Sequence, residues 1–102
     1  MTIYPEECDD LIDEIHALRR KIGQLISKRD SARAHLVARK IHLKLDKLEK
    51  LGIEDRADKP IKAARAKVRQ IERTIDPEKM HRLCGQLDKT TAIIRSRCRI
   101  KL

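Results

Sequence analysis

Six apolar side chains at steps of three and four residues, Cys8, Leu11, Ile15, Leu18, Ile22 and Leu25, lay one oily seam along a helix. This rhythm restricts the fold more than any other feature of the chain. A helix with such a seam gains most of its stability by covering it with another element. The remaining apolar residues must supply that cover. Tyr4 is the single aromatic residue and there is no Phe or Trp. The core is therefore drawn from Leu, Ile, Val and Ala, interleaved with Lys, Arg, Glu and Gln, a mixture that favours helices over sheets. A chain of 102 residues accommodates one such core and is too short for two.

Helix signals divide the chain. Pro5 followed by Glu6 and Glu7 opens a helix, because the first turn cannot use the missing amide and its positive end favours carboxylates. The seam meets Arg29 where an apolar residue is due, then resumes out of phase as Val37, Ile41, Leu45 and Leu48, and stops at Leu51 and Gly52. This predicts one helix over 5–51, about 70 Å long at 1.5 Å per residue. Ser27, Asp30 and Ser31 offer the alternative of a capped break. Ile53 to Lys59 reads as a polar connector. A second helix over 59–75, opened by Asp58 and Pro60, carries Ile61, Ala64, Val68, Ile71 and Ile75. Asp76 and Pro77 then cap and open a third helix over 77–98, with Met80, Leu83, Leu87, Thr91, Ile94 and Cys98 as its buried stripe. The expected architecture is all-α, a single domain over 1–102. In it the long first helix is covered by the two shorter ones, folded back as an antiparallel helical hairpin or coiled coil. Leu18, Ile22, Leu25, Ile71 and Leu87 are expected in its core. A homodimeric coiled coil satisfies the same seams.

Charge is unevenly placed. Of a net +9, the first 14 residues contribute −6 and the remainder +15. A body this basic attracts nucleic acid, an anionic membrane surface or an acidic protein face without choosing among them. Cys8, Cys84 and Cys98 are an odd number with no CxxC pair and no signal-peptide pattern ahead of them, which predicts a reduced, cytoplasmic chain. No apolar run approaches the roughly 18 residues that cross a bilayer, so no membrane partner is expected.

A search for chemistry returns little. His81 and Cys84 share a helix face, but Cys98 lies about 21 Å further along a straight helix, too far to share one ion. The cysteines therefore read as small buried residues, and His16, His35 and His42 as surface side chains. Gly23, Gly52 and Gly85 are isolated, and neither phosphate-loop nor HExxH spacing occurs. No catalytic residue, metal or cofactor is expected, and the chain reads as a non-enzyme.

The candidate contact residues are basic. Lys62, Arg65, Arg69 and Arg73 form a stripe on the second helix, Arg95, Arg97, Arg99 and Lys101 end the chain, and Arg29, Arg33, Lys40, Lys44 and Lys47 are scattered along the first. Such side chains neutralise phosphates, yet the aromatic platform of a single-strand binder is missing. No helix-turn-helix pairing suggests sequence-specific reading of DNA. Lys59 and Pro60, placed in an exposed connector, are a candidate contact for a prolyl isomerase, with helix opening as the plainer duty of that proline.

Two resemblances follow from these residues. Ile12-Asp13-Glu14-Ile15, Leu25-Ile26-Ser27-Lys28-Arg29 and Lys40 resemble the first helix of the small helical chorismate mutases, which implies Arg29 and Lys40 clamping a dicarboxylate. The chain departs from that pattern at Ile12, where the family has an arginine, and the acidic and glutamine partners do not follow. In size, basicity and helical make-up the whole chain resembles the small phage-encoded anti-RecBCD proteins. That implies a non-enzymatic cytoplasmic adaptor or inhibitor bound to a host protein machine that acts on nucleic acid in recombination or repair. Direct, non-specific binding of DNA or RNA backbone through basic helix faces is the alternative expectation.

Overall fold

The computed structural model describes residues 5–51 and 54–98. Four helices, α1 (Pro5–Ser27), α2 (Ser31–Lys50), α3 (Glu54–Arg73) and α4 (Pro77–Cys98), make up 92% of these residues, which include no strand. The all-α expectation holds. Their apolar faces meet in one cluster to which all four helices contribute.

The long helix expected over 5–51 is two helices. Arg29 takes a left-handed backbone, φ 58°, between α1 and α2. Its amide bonds back to the Ile26 carbonyl at 2.9 Å, and the Asp30 amide to the Leu25 carbonyl at 2.9 Å. This pair of backward bonds closes a helix on a left-handed residue, a position usually given to glycine. Asp30 then opens α2, its carboxylate accepting from the Arg33 amide at 3.1 Å. Of the two sequence readings, the capped break is the one adopted. The physical reason is the phase slip after Leu25: a reversal lets α1 and α2 cover each other. A straight helix of about 70 Å would also outrun a molecule whose longest dimension is 46 Å.

Each helix packs against two neighbours in the ring α1, α2, α3, α4, with no close backbone approach across the diagonals among the described residues. Side-chain pairs give the directions. Asp9 and Asp13 of α1 reach Arg95 of α4, His16 reaches Thr91, and Arg19 reaches Asp88. Glu14 of α1 pairs with Lys44 of α2, and Asp46 and Glu49 of α2 pair with Arg65 of α3 while His42 pairs with Glu72. Between α1 and α4, and between α2 and α3, the paired residue numbers run in opposite senses.

The second helix begins earlier and stops sooner than expected over 59–75. Glu54 rather than Lys59 opens α3, and the added turn buries Ala57 completely. Pro60 is consequently inside the helix and buried, not in an exposed connector. It leaves the residue-56 carbonyl without its usual amide partner, and the cost is met by burial of the ring. Ile75, expected on the buried stripe, lies beyond Arg73 in the turn and is 76% exposed. The third helix matches its expected limits. Asp76 caps it by accepting from the Glu78 amide at 3.1 Å, and all six expected stripe residues are buried together with Cys84.

In α1 the buried row is Cys8, Ile12, Ile15, Ile22 and Ile26, whereas Leu11, Leu18 and Leu25 sit half-buried at its edge. Leu18 and Leu25 were expected in the core, as Ile22, Ile71 and Leu87 are. The helix faces two neighbours, so its apolar arc is broader than a single seam and its centre falls one residue round from the simplest reading.

Cys8 and Cys98 form a disulfide that ties the first turn of α1 to the last turn of α4. The expectation of three reduced cysteines fails for these two, while Cys84 is free and buried. A straight α4 does hold Cys84 far from Cys98, but the partner of Cys98 comes from the other end of the chain.

Candidate interaction surface

The basic residues singled out from the sequence divide into two groups once the helices are packed. Arg65 turns toward α2, with only 17% of its side chain exposed, and clamps Asp46 and Glu49, the latter at 2.8 Å. Burial works against its charge, but hydrogen bonds and charges from the two carboxylates outweigh that and hold the guanidinium above its ordinary pKa. Arg95 bridges α4 and α1, pairing with Asp9 at 3.4 Å and with Asp13. These two arginines staple helices. Lys62 is exposed but pairs with Asp58, one turn back on α3, at 3.2 Å. Lys59, Arg69, Arg73 and Arg97 remain on the exposed surface, and Arg99 lies outside the described residues. The structure thus brings Arg69 and Arg73 together on α3 and keeps Arg65 and Arg95 away from that face.

His16, His35 and His42 are tied into the helix contacts rather than free on the surface. Thr91, the one buried polar residue described, donates its hydroxyl hydrogen to the Asp88 carbonyl at 2.9 Å, and so accepts from His16 Nε2 at 2.9 Å. His35 Nε2 donates to the Thr74 carbonyl at 2.8 Å, and His42 Nε2 to Glu72 at 2.6 Å. Cys84 lies buried near Arg19 and Asp88. Burial pushes its thiol pKa up, the Arg19 charge pulls it partly back, and Asp88 raises it further, the reverse of what a nucleophile needs. No group of three His, Cys, Asp or Glu side chains among the described residues is placed to hold a metal ion. No helix among them is long and apolar enough to cross a membrane.

The surface that sequence reasoning missed lies between α1 and α2. A groove of about 790 Å³ runs there, with Leu18 and Ala17 on one wall, Leu43 on the other, and Lys21, Lys40, Lys47 and Lys50 along its borders. Leu43 is 61% exposed. Leu36, one heptad earlier on the same face of α2, is 57% exposed. The groove continues past Leu11 and Leu51 at the far end of α2 into a smaller hollow of about 340 Å³. Its signal was present in the sequence, because Leu11, Leu18 and Leu25 keep a strict seven-residue spacing beside the buried row, as do Leu36 and Leu43. Within one seam that spacing looked like core.

Arg29 and Lys40, which carry the enzyme resemblance, are not assembled into one clamp. Arg29 lines a separate hollow of about 580 Å³ at the turn end of the bundle, beside Ile75 and His81, whereas Lys40 borders the groove. No protein-family model, curated protein or solved structure matches the chain.

Proposed function

We propose that the chain is a non-enzymatic helical adaptor that binds a larger protein, with the α1–α2 face as the contact surface and the packed bundle as its rigid support. One observation carries this reading: two large leucines, Leu36 and Leu43, stand more than half exposed in register on one helix face beside an apolar groove. An apolar groove edged by a largely exposed leucine marks a contact site, whereas single exposed apolar residues are ordinary. The sequence resemblance supplies the class of partner proposed, a protein machine acting on nucleic acid, and the inhibitor role belongs to that same proposal. The paired helices α1–α2 and α3–α4 act here as two antiparallel hairpins, one presenting the groove and the other backing it.

A second reading has an observation of its own. Arg69, Arg73, Lys79, Arg82 and Lys89 are exposed on α3 and α4 with no ion-pair partner among the described residues, which suits direct contact with nucleic-acid phosphates.

One experiment separates the two. Immobilised protein, Leu43→Glu, and an Arg69→Ala/Arg73→Ala pair are exposed to nuclease-treated lysate at two salt concentrations, and each is titrated with bare duplex DNA. The adaptor reading expects the same retained protein on the wild type and the arginine pair, and its loss on Leu43→Glu. Tight duplex binding that weakens in the arginine pair, with no salt-resistant protein retained, hands the case to phosphate contact.

A further inference from the structure

We infer that the α1–α2 groove receives an amphipathic helix of the partner protein, one that carries acidic residues beside its apolar stripe on the side that faces α2. The inference rests on the protein-binding reading and names what the surface takes. Leu11 and Leu18 of α1 line one wall of the groove and its continuation, and Leu43 and Leu51 line the other. From Lys40 to Leu51 the α2 wall spans about 16 Å, the length of a helix of roughly 11 residues. Leucines one heptad apart on two neighbouring helices present the holes into which the knobs of a third helix fit.

Charge decides the occupant. Glu14 at the groove is already neutralised by Lys44 at 3.0 Å, and Asp46 is held by Arg65. Lys40, Lys47 and Lys50 on the α2 border and Lys21 on α1 have no ion-pair partner among the described residues, whereas Glu7 and Asp10 stand at the α1 side of the continuing hollow, so the cationic border is that of α2. A second copy of this chain, docked face to face, would bring its own surplus of groove lysines onto the first. A nucleic acid would satisfy the lysines but bring phosphates onto leucines, and the groove has no aromatic ring on which a base stacks. A helix with leucine or isoleucine on its stripe and Glu or Asp along one flank satisfies both the apolar floor and the cationic α2 border.

The test selects binders from a displayed library of helical peptides of about 18 residues. Stripe positions vary among Leu, Ile, Met and Ala, and flanking positions between Glu and Lys. Selection is on the intact disulfide-bonded protein, with counter-selection on Leu43→Glu, whose helicity is checked by circular dichroism. The expected result is enrichment of Glu along one flank of the stripe, the one that faces α2. Binding of the selected peptide, followed by fluorescence anisotropy, should fall about tenfold or more in Leu43→Glu and in a Lys40→Glu/Lys47→Glu pair. A Lys-flanked version of that peptide should recover binding to the charge-reversed pair. Enrichment of Lys or of no flank, or no enrichment over counter-selection, would overturn the acidic helix as occupant. So would a concentration-dependent dimer in sedimentation that Leu43→Glu abolishes. Failure of the library while a nuclease-resistant protein is still lost on Leu43→Glu overturns this inference alone, whereas loss of every protein contact overturns the adaptor reading beneath it.

Discussion

Truncating Ile71 and Leu18 to alanine in parallel separates the row that holds the bundle together from the row that edges the groove. Ile71 is fully buried on α3, and Leu18 is half-buried on α1 with open space beside it. Each change removes three carbons, whose transfer from water accounts for up to about 2.4 kcal/mol when burial is complete, at about 0.8 per carbon. For Ile71 the hole left behind is enclosed, so a cavity cost adds and the total should reach roughly 3–4 kcal/mol. For Leu18 burial is partial and the hole opens into the groove, so the loss should be about 1 kcal/mol with no cavity cost. Urea unfolding followed by circular dichroism reads both as midpoint shifts at unchanged slope. With a slope near 1 kcal/mol per molar, as suits a small domain, the Ile71 shift is about 3 M and the Leu18 shift about 1 M. Equal shifts, or a larger one for Leu18, would refute the reasoning, because the heptad leucines of α1 would then be core and the groove would not be open.

Reducing the Cys8–Cys98 bond frees a chain closed over 90 residues, which on the loop-entropy account should cost roughly 4.6 kcal/mol. Thiol titration of the unreduced protein in denaturant should find one thiol, and three would show that the bond is absent. Cys84, buried and with its pKa raised, should react slowly with iodoacetamide at mildly alkaline pH in the folded protein and quickly after denaturation. Rapid native labelling would contradict its placement. Arg65→Ala leaves Asp46 and Glu49 without their shared partner and should lower stability by about 1–3 kcal/mol, with little recovery in Arg65→Lys because one ammonium cannot reproduce the fork. Full recovery by lysine would mean that charge alone, not geometry, holds α2 to α3.

What the sequence revealed and what it hid follow from how local each signal is. Asp76 and Pro77 act on their own turn, and α4 starts where they place it. The reversal at Arg29 has no glycine or proline to announce it. Its local cue, the cap at Asp30, competed with good helix formers on both sides, and only packing of α1 on α2 decides between them. The start of α3 was placed too late because Pro60 looked like an opener, whereas burial of Ala57 favours another helical turn ahead of it. The disulfide was illegible: Cys8 and Cys98 are brought together only when the ring of four helices closes. For the interaction surface, a count of basic residues could not tell Arg65 and Arg95, which staple helices, from Arg69 and Arg73, which face outward.

The bridge between Cys8 and Cys98 also fixes how the molecule bears load. A pull on the two ends of the chain enters at α1 and leaves at α4, and the covalent bond joins those points with Cα atoms 6.4 Å apart. Tension therefore passes through sulfur and bypasses the helices between. In a single-molecule stretching trace the oxidised protein should gain no length from the residues between Cys8 and Cys98. On reduction, about 300 Å of hidden contour becomes available as the intervening 90 residues take up the force. A helical bundle is ordinarily soft to such pulling; here the bond shields the surface between α1 and α2 from it.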